Sequence, residues 1–188
     1  MSVSYAFCEQ EMRFALSPTA REESAVSQWF AIQTRYRYEK KVASQLREKG
    51  CEIYLPLRTE RHTWSDRQKN VTIPLFPGYA FVQMSWSAPE RRRVLETAGL
   101  IGFVTFGSVV APVPLKQIEH LQILLKGDTP FSLHPFVKAG QRVRVRGGSL
   151  DGLEGIFLQG DQGKLLISVD TIQRSLAIEI RGYELELI

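Results

Sequence analysis

Residues 75–84 read Leu75-Phe-Pro-Gly-Tyr-Ala-Phe-Val-Gln-Met84, an apolar and aromatic run that a single Pro-Gly pair interrupts. Its composition predicts a strand, and the prediction extends back to Val71. A glycine within a strand leaves the backbone accessible to close approach. We therefore expect Phe76 and Tyr79, on either side of the Pro-Gly pair, to lie on a kinked strand.

Helices and strands alternate on both sides of this run. Tyr38, Val42 and Leu46 recur every four residues, which predicts a helix that ends near Gly50. Further strands are predicted over 28–33, 53–64 and 101–110, and further helices from Pro89 and over 115–126. This order predicts an α+β fold whose first domain is an α/β sandwich, an antiparallel sheet covered by helices.

The pattern changes after Lys138. Residues 142–146 alternate between Arg and Val, glycine-rich turns follow, and short strands are predicted over 156–158, 165–169 and 176–180. About five short strands without helical periodicity predict a small five-stranded β-barrel. The predicted organisation is a disordered leader (1–26), an N-terminal domain (27–126), a linker (127–136) and a barrel domain (137–188).

Composition indicates a globular chain without a membrane segment. Of the 188 residues, 44% are hydrophobic and 23% are charged, and the net charge is +4. Two cysteines are too few for a disulfide framework, and no basic start followed by an apolar stretch suggests a secretory signal. We expect a cytoplasmic protein with no membrane association, and the mild basic charge favours polyanions as partners.

Catalytic and ligand-binding patterns are missing from the sequence. His62, His120 and His134 are isolated, so no Cys/His spacing suits zinc. No glycine-rich loop is followed by Lys-Ser or Lys-Thr, and no Ser, Cys or carboxylate lies in a recognisable catalytic motif. We therefore expect no enzymatic activity, no cofactor and no metal.

Two segments together resemble the NusG family of transcription elongation factors. Residues 74–84 resemble the Phe-Pro-Gly-Tyr strand of the NusG N-terminal domain, and residues 143–156 are similar to the KOW motif. Trp29-Phe-Ala-Ile-Gln-Thr34 looks like the opening strand of that family, and the resemblance covers about residues 27–188. The residues that match the KOW motif are Arg144, Gly147, Gly148, Gly152 and Gly155.

The resemblance implies a polymerase-binding regulator. Family members bind the clamp helices of the largest RNA polymerase subunit through an apolar pocket. Their KOW domain recruits a second partner, such as the termination factor Rho or a small-subunit ribosomal protein. By this resemblance Trp29, Phe76 and Tyr79 line the pocket of a monomer, and rigid aromatics are usual anchors for an amphipathic helix. The alternative is that these three are ordinary core aromatics.

The sequence also departs from the housekeeping pattern. Leu75-Phe76 replaces a double Phe of that pattern. Leu55-Pro-Leu-Arg58 and Phe103-Val-Thr-Phe-Gly107 resemble specialised paralogues such as RfaH and the polysaccharide-operon regulators. RfaH-type proteins contact the opposite jaw of the polymerase through a polar His-Thr-Thr stretch, where this chain has Arg91-Arg92-Arg93. We expect these arginines to contact nucleic-acid phosphates or the polymerase jaw. The alternative is a solvated helix face.

Two further expectations concern the barrel. Because KOW barrels also occur in ribosomal proteins, the alternative function is an RNA- or ribosome-binding module. Some paralogues refold this domain into a helical hairpin, but interior glycines each cost a helix about 1 kcal/mol relative to alanine. We therefore expect this chain to keep the barrel in its free form, with the two domains tumbling nearly independently.

Overall fold

The structure is a computed structural model that describes residues 26–64, 67–127, 129–137, 140–158, 163–180 and 182–188. The predicted leader lies outside the described residues, apart from Val26. The described part has a mixed α and β architecture with a strand-rich C-terminal domain, which confirms the predicted fold class.

The N-terminal domain contains three helices and nine strands among the described residues. The helices are α1 (Glu39–Glu48), α2 (Ala88–Leu95) and α3 (Leu115–Lys126). The strands are β1 (Gln28–Thr34), β2 (Glu52–Tyr54), β3 (Leu57–Trp64), β4 (Arg67–Pro74), β5 (Tyr79–Met84), β6 (Leu100–Phe103), β7 (Thr105–Phe106), β8 (Val109–Val110) and β9 (Pro112–Val113).

Helices cover both faces of one antiparallel sheet. The sheet has the order β2-β5-β1-β6, and β9 also pairs with β1. Alternation along β1 sends Phe30 and Ile32 into a core shared with α1 and α2. Trp29 and Ala31 point to the opposite face, into a core shared with α3.

The strand predicted over residues 71–84 is broken into two. Among the described residues, strand β4 pairs only with β3, from Leu57↔Pro74 to Trp64↔Arg67, and these two form a separate ribbon. Strand β5 joins the central sheet instead. The break falls at residues 75–78, because Pro-Gly pairs favour turns over a continuous strand.

The C-terminal domain consists of β10 (Phe131–His134), β11 (Gln141–Arg146), β12 (Glu154–Leu158), β13 (Lys164–Val169), β14 (Arg174–Glu179) and β15 (Glu184–Leu187). All pairings are antiparallel, in the order β10-β14-β13-β12-β11-β15. Strand β10 comes from the segment predicted as a linker. The described residues between 141 and 187 therefore form the predicted β-structure rather than a helical hairpin.

The two domains are in contact, which differs from the expectation that they tumble nearly independently. The side chain of Gln117 on α3 donates to Asp170 Oδ2 at 2.8 Å and accepts from the Asp170 backbone N–H at 3.1 Å. Lys116 lies 3.3 Å from Glu154 of the barrel. The exposed side of α3 supplies polar partners that the sequence periodicity did not reveal, because that periodicity describes only the buried side.

Candidate functional site

The motif at residues 76–79 is a tight turn rather than a kinked strand. The Tyr79 N–H donates to the Phe76 carbonyl at 3.1 Å, and Gly78 has a φ of 82°. Proline at the second position and a positive φ at the third are the features of a type II turn. The turn sets the direction in which Tyr79 leaves the start of β5.

Two groups from outside the motif hold this turn in place. The Glu39 carboxylate accepts a hydrogen bond from the Gly78 N–H at 2.8 Å, and the Thr34 N–H donates to the Gly78 carbonyl at 2.9 Å. Glu39 is only 3% exposed. Sequence reasoning missed this residue, which lies in the first turn of α1, where a carboxylate is also favoured by the helix dipole.

Trp29, Tyr54 and Phe81 form an aromatic cluster within the apolar core that Phe76 also joins. Tyr54 stacks on Phe81 at 6.3 Å and meets Trp29 edge-on at 6.4 Å between ring centroids. Burial raises the pKa of Tyr54 to about 12, so its phenol stays protonated at neutral pH. The cluster is therefore apolar, rigid and uncharged.

The three predicted pocket residues differ in exposure. Trp29 is 7% and Phe76 is 2% exposed, so both are core residues in this arrangement, whereas Tyr79 is half-buried. All three lie in or against one apolar core. Tyr79 is the member of the set with surface available to a partner.

Each arginine of the Arg91-Arg92-Arg93 run has an intramolecular contact. The Arg91 guanidinium lies 4.9 Å from the centroid of the Trp86 ring. Arg92 pairs with Glu96 at 2.7 Å and Arg93 with Glu90 at 3.2 Å, both along the α2 surface. Arg92 and Arg93 remain exposed, and exposed helix pairs of this kind are weak enough to be exchanged for a partner's charge.

The KOW-like segment is built around one charge cluster and a glycine turn. Arg144 on β11 pairs with Glu154 on β12 at 2.6 Å, and both Arg144 and Arg146 contact Glu186 on β15. The bond from Arg144 is the main cause that lowers the pKa of Glu154 below its usual value.

Glycines shape the backbone around that cluster. Gly147, Gly148 and Gly152 all have positive φ. Gly155 is required for a different reason, because a Cβ there would collide with the Leu166 carbonyl and the Leu165 side chain on the neighbouring strand.

A cleft of about 660 Å³ lies between α3 and the barrel. His120, Lys116 and Gln117 line it from the helix, and Glu154 and Asp170 line it from the barrel. Burial lowers the pKa of His120, which favours the neutral imidazole at this interface. Four of these five side chains, all except His120, form the interdomain contacts described above, so the cleft is part of the domain interface.

No group of three or more metal-ligating side chains comes together within the described ranges. None of the described helices is long and apolar enough to cross a membrane.

Comparisons with known proteins identify the family. Residues 27–124 match the family model described as "Transcription termination factor nusG". The chain is 31% identical over 170 residues to the transcription termination/antitermination protein NusG of Lactococcus lactis, covering 84% of this chain and 91% of that protein. It is 28% identical over 180 residues to the NusG protein of Staphylococcus carnosus, covering 88% and 98%.

A solved structure supports the same fold. The structure described as "Domain interaction in Thermotoga maritima NusG" aligns with a TM-score of 0.52 and 19% identity, covering 86% of this chain and 98% of that one. The matched family model spans the sheet, the turn at Phe76–Tyr79 and most of α3. The protein therefore belongs to the NusG family of transcription termination and antitermination factors.

Proposed function

We propose that this chain regulates transcript elongation by binding RNA polymerase through its N-terminal domain and a second partner through its barrel. The polymerase element is the pair of clamp helices of the largest subunit. One observation carries the proposal: a half-buried tyrosine, Tyr79, leaves a turn held by hydrogen bonds and packs against an apolar core that contains Trp29 and Phe81. Such preformed aromatic anchors are what an amphipathic helix needs on the surface that it binds.

The site is preorganised, which supports binding rather than a purely structural role for Tyr79. The turn is held by Glu39 and Thr34, so Tyr79 has little backbone freedom to lose when a partner binds. Trp29 and Phe76 belong to the core against which Tyr79 packs, and both are too buried to supply contact area themselves. We therefore assign the direct contact to Tyr79 and a supporting role to the other two.

Capture of the full chain on an isolated clamp-helix coiled coil tests this assignment. Tyr79→Ala is expected to weaken binding by roughly 30-fold, the factor for a hot spot of about 2 kcal/mol. Tyr183→Ala, at another half-buried tyrosine in the barrel domain, is the matched control and should bind like the unmodified chain. Equal binding by folded Tyr79→Ala protein would remove the pocket assignment.

The α2 arginines are proposed to contact DNA or an acidic surface of the polymerase jaw. Reversing all three to glutamate should reduce stimulation of elongation and make the remaining effect less dependent on salt. An informative control exchanges one pair, Arg92→Glu with Glu96→Arg, which keeps an ion pair on the helix but moves the positive charge by one turn. If triple reversal changes neither quantity, the run is a solvated helix face.

For the barrel we propose Rho or a small-subunit ribosomal protein as partner. The alternative, an RNA-binding module, has less support because Arg144 and Arg146 are already paired with Glu154 and Glu186. Binding of the full chain to each purified candidate distinguishes these possibilities. Loss of RNA binding in an Arg144→Ala, Arg146→Ala variant would favour the alternative.

A further inference from the structure

Strand β10 is an outermost strand of the barrel sheet, and in sequence it lies between α3 and β11. Among the described strands it pairs only with β14, in a register that places Phe131 opposite Ile178 and Leu133 opposite Leu176. On its other edge, every residue of β14 has a partner on β13. Without β10, one edge of β14 would therefore present unpaired backbone N–H and C=O groups.

Strand β10 is short and only partly covered. Pro130 and Pro135 flank its four residues, and a proline has no N–H to donate to the ladder. Its core-facing side chains are Phe131, which is half-buried against the main core, and Leu133, which is still 48% exposed. An edge strand with so few residues and so little burial is held less firmly than the strands inside the sheet.

The pairing of β10 also sets the length of the connection between the domains. With β10 paired, only residues 127–130 connect α3 to the barrel sheet, whereas with β10 released the connection runs over residues 127–140. A shorter connection raises the effective concentration of the barrel at α3. The exposed bonds from Gln117 and Lys116 to the barrel are weak on their own. Release of β10 should therefore also loosen the contact between the domains.

We propose that β10 is a releasable strap that closes the edge of β14 while it is paired. An extended segment of a protein partner takes its place by adding a strand to that edge, and the exchange lengthens the connection between the domains. Strand β10 itself indicates the chemistry of such a segment, because it offers apolar side chains two residues apart, at Phe131 and Leu133, and backbone groups for the ladder. This role rests on the proposed function only in that the barrel binds a protein.

Hydrogen exchange of the full chain, followed by NMR at single amides, tests the strap without any partner. The β14 amides that point toward β10 alternate along the strand with those that point toward β13. In the unmodified chain the first set should exchange at least about tenfold faster than the second, because opening of β10 exposes it while the rest of the barrel stays folded. Equal protection of the two sets would show that β10 is a permanent strand and would overturn the proposal.

Three variants set the state of the strap. Phe131→Ser with Leu133→Ser removes both core-facing apolar side chains, so β10 should leave the sheet while β11 to β15 keep their signals. Ser132→Ala, on the opposite face of the same strand, is the matched control and should keep β10 paired. Ser132→Cys with Ala177→Cys joins β10 to β14 at directly opposed positions, where the Cα atoms lie close enough for a disulfide. Cys8→Ser accompanies this pair to avoid mispairing.

A fluorescent peptide with the sequence of residues 129–136 is the probe for the vacated edge. The released variant should bind it at least about tenfold more tightly than the unmodified chain and the Ser132→Ala control, because β10 no longer competes for β14. The oxidised disulfide variant should bind least, and reduction should restore the affinity of the unmodified chain. A peptide carrying Phe131→Ser and Leu133→Ser is the sequence control and should not bind. If the released and oxidised variants bind the probe alike, the proposal is wrong.

The rotational correlation times of the two domains measure the second consequence of release. They should be shared in the Ser132→Ala control and in the oxidised variant, and they should diverge in the released variant. A shared value in the released variant would overturn the coupling between the strap and the orientation of the domains. If the released variant binds the peptide but no variant binds any candidate protein partner, the strap is supported and the proposed partners of the barrel are contradicted.

Discussion

At the scale of single residues, the most consequential feature is the burial of Phe76. The family resemblance predicts that Phe76 lines a binding pocket, but the side chain is 2% exposed and belongs to the main core. The same turn that places Phe76 in the core also sets the direction of Tyr79.

Phe76→Ala is therefore expected to destabilise the protein by about 3–5 kcal/mol, the usual loss for a buried phenylalanine. Denaturant unfolding measures this, with Phe76→Leu as a control that retains most of the apolar volume and loses less. A loss below about 1 kcal/mol would mean that Phe76 is not core in solution.

The environment of Glu154 leads to a second prediction, about how stability depends on pH. Its folded-state pKa is lowered, chiefly by Arg144 and also by Lys116. A carboxyl group whose pKa is lowered by folding stabilises the protein at pH values above its unfolded-state pKa. This stabilisation is lost as the pH falls through the folded-state pKa. The stabilisation by Glu154 is thus present at pH 7 and disappears at acid pH.

Glu154→Gln should accordingly melt a few degrees below the unmodified protein at pH 7. The difference should shrink as pH falls below about 4, where a normal glutamate also becomes protonated. Glu184→Gln, on β15, is the control and should show no comparable pH-dependent difference, because Glu184 forms no ion pair within the described residues. A pH-independent deficit in Glu154→Gln would assign its role to packing.

At the scale of elements, the turn and strand after β11 depend on two glycines for different reasons. Gly152 has a φ of 78° but open space around a hypothetical Cβ, so alanine there meets only backbone strain. Gly155 has an ordinary backbone, but alanine there meets the Leu166 carbonyl of β13. A backbone atom in a paired strand cannot move aside as a flexible side chain can.

Thermal unfolding should therefore rank the two substitutions. Gly152→Ala is expected to cost about 1–2 kcal/mol from the left-handed conformation alone. Gly155→Ala should cost more, because β12 must separate from β13 to admit the methyl group. Equal losses would show that the barrel relaxes around position 155 more easily than the close approach of the strands suggests.

At the scale of the whole molecule, α3 connects the two domains. One side of the helix buries Ile118, Leu121 and Leu124, and its exposed side contacts Asp170 and Glu154 of the barrel. Most of these polar bonds are exposed, so each contributes little alone. The orientation of the domains is therefore expected to respond when these polar contacts are removed together.

Nuclear spin relaxation of the full chain tests this orientation. In the unmodified protein the two domains should share one rotational correlation time. Gln117→Ala combined with Lys116→Ala should let the two values diverge without changing the strand signals of either domain. Separate correlation times in the unmodified protein would restore the expectation of independent domains.

Local pattern determined much of this architecture before any tertiary contact was considered. The predicted helix over 115–126 coincides with α3, and the alternation over 142–146 coincides with β11, because helix and strand periodicities depend on neighbouring residues. Two sequence features together also indicated the NusG family: the aromatic Pro-Gly motif and the later basic strand with its glycine turn. The comparisons confirm this family.

Contacts between residues distant in sequence decided the rest. The separate β3–β4 ribbon, the hydrogen bond from Gly78 to Glu39 and the burial of Phe76 each depend on how segments meet in space. The same is true of β10, which belongs to the barrel sheet because β14 supplies its partner edge. A periodic pattern specifies which side of an element is apolar, but only tertiary packing determines which element covers that side and which polar groups meet beyond it.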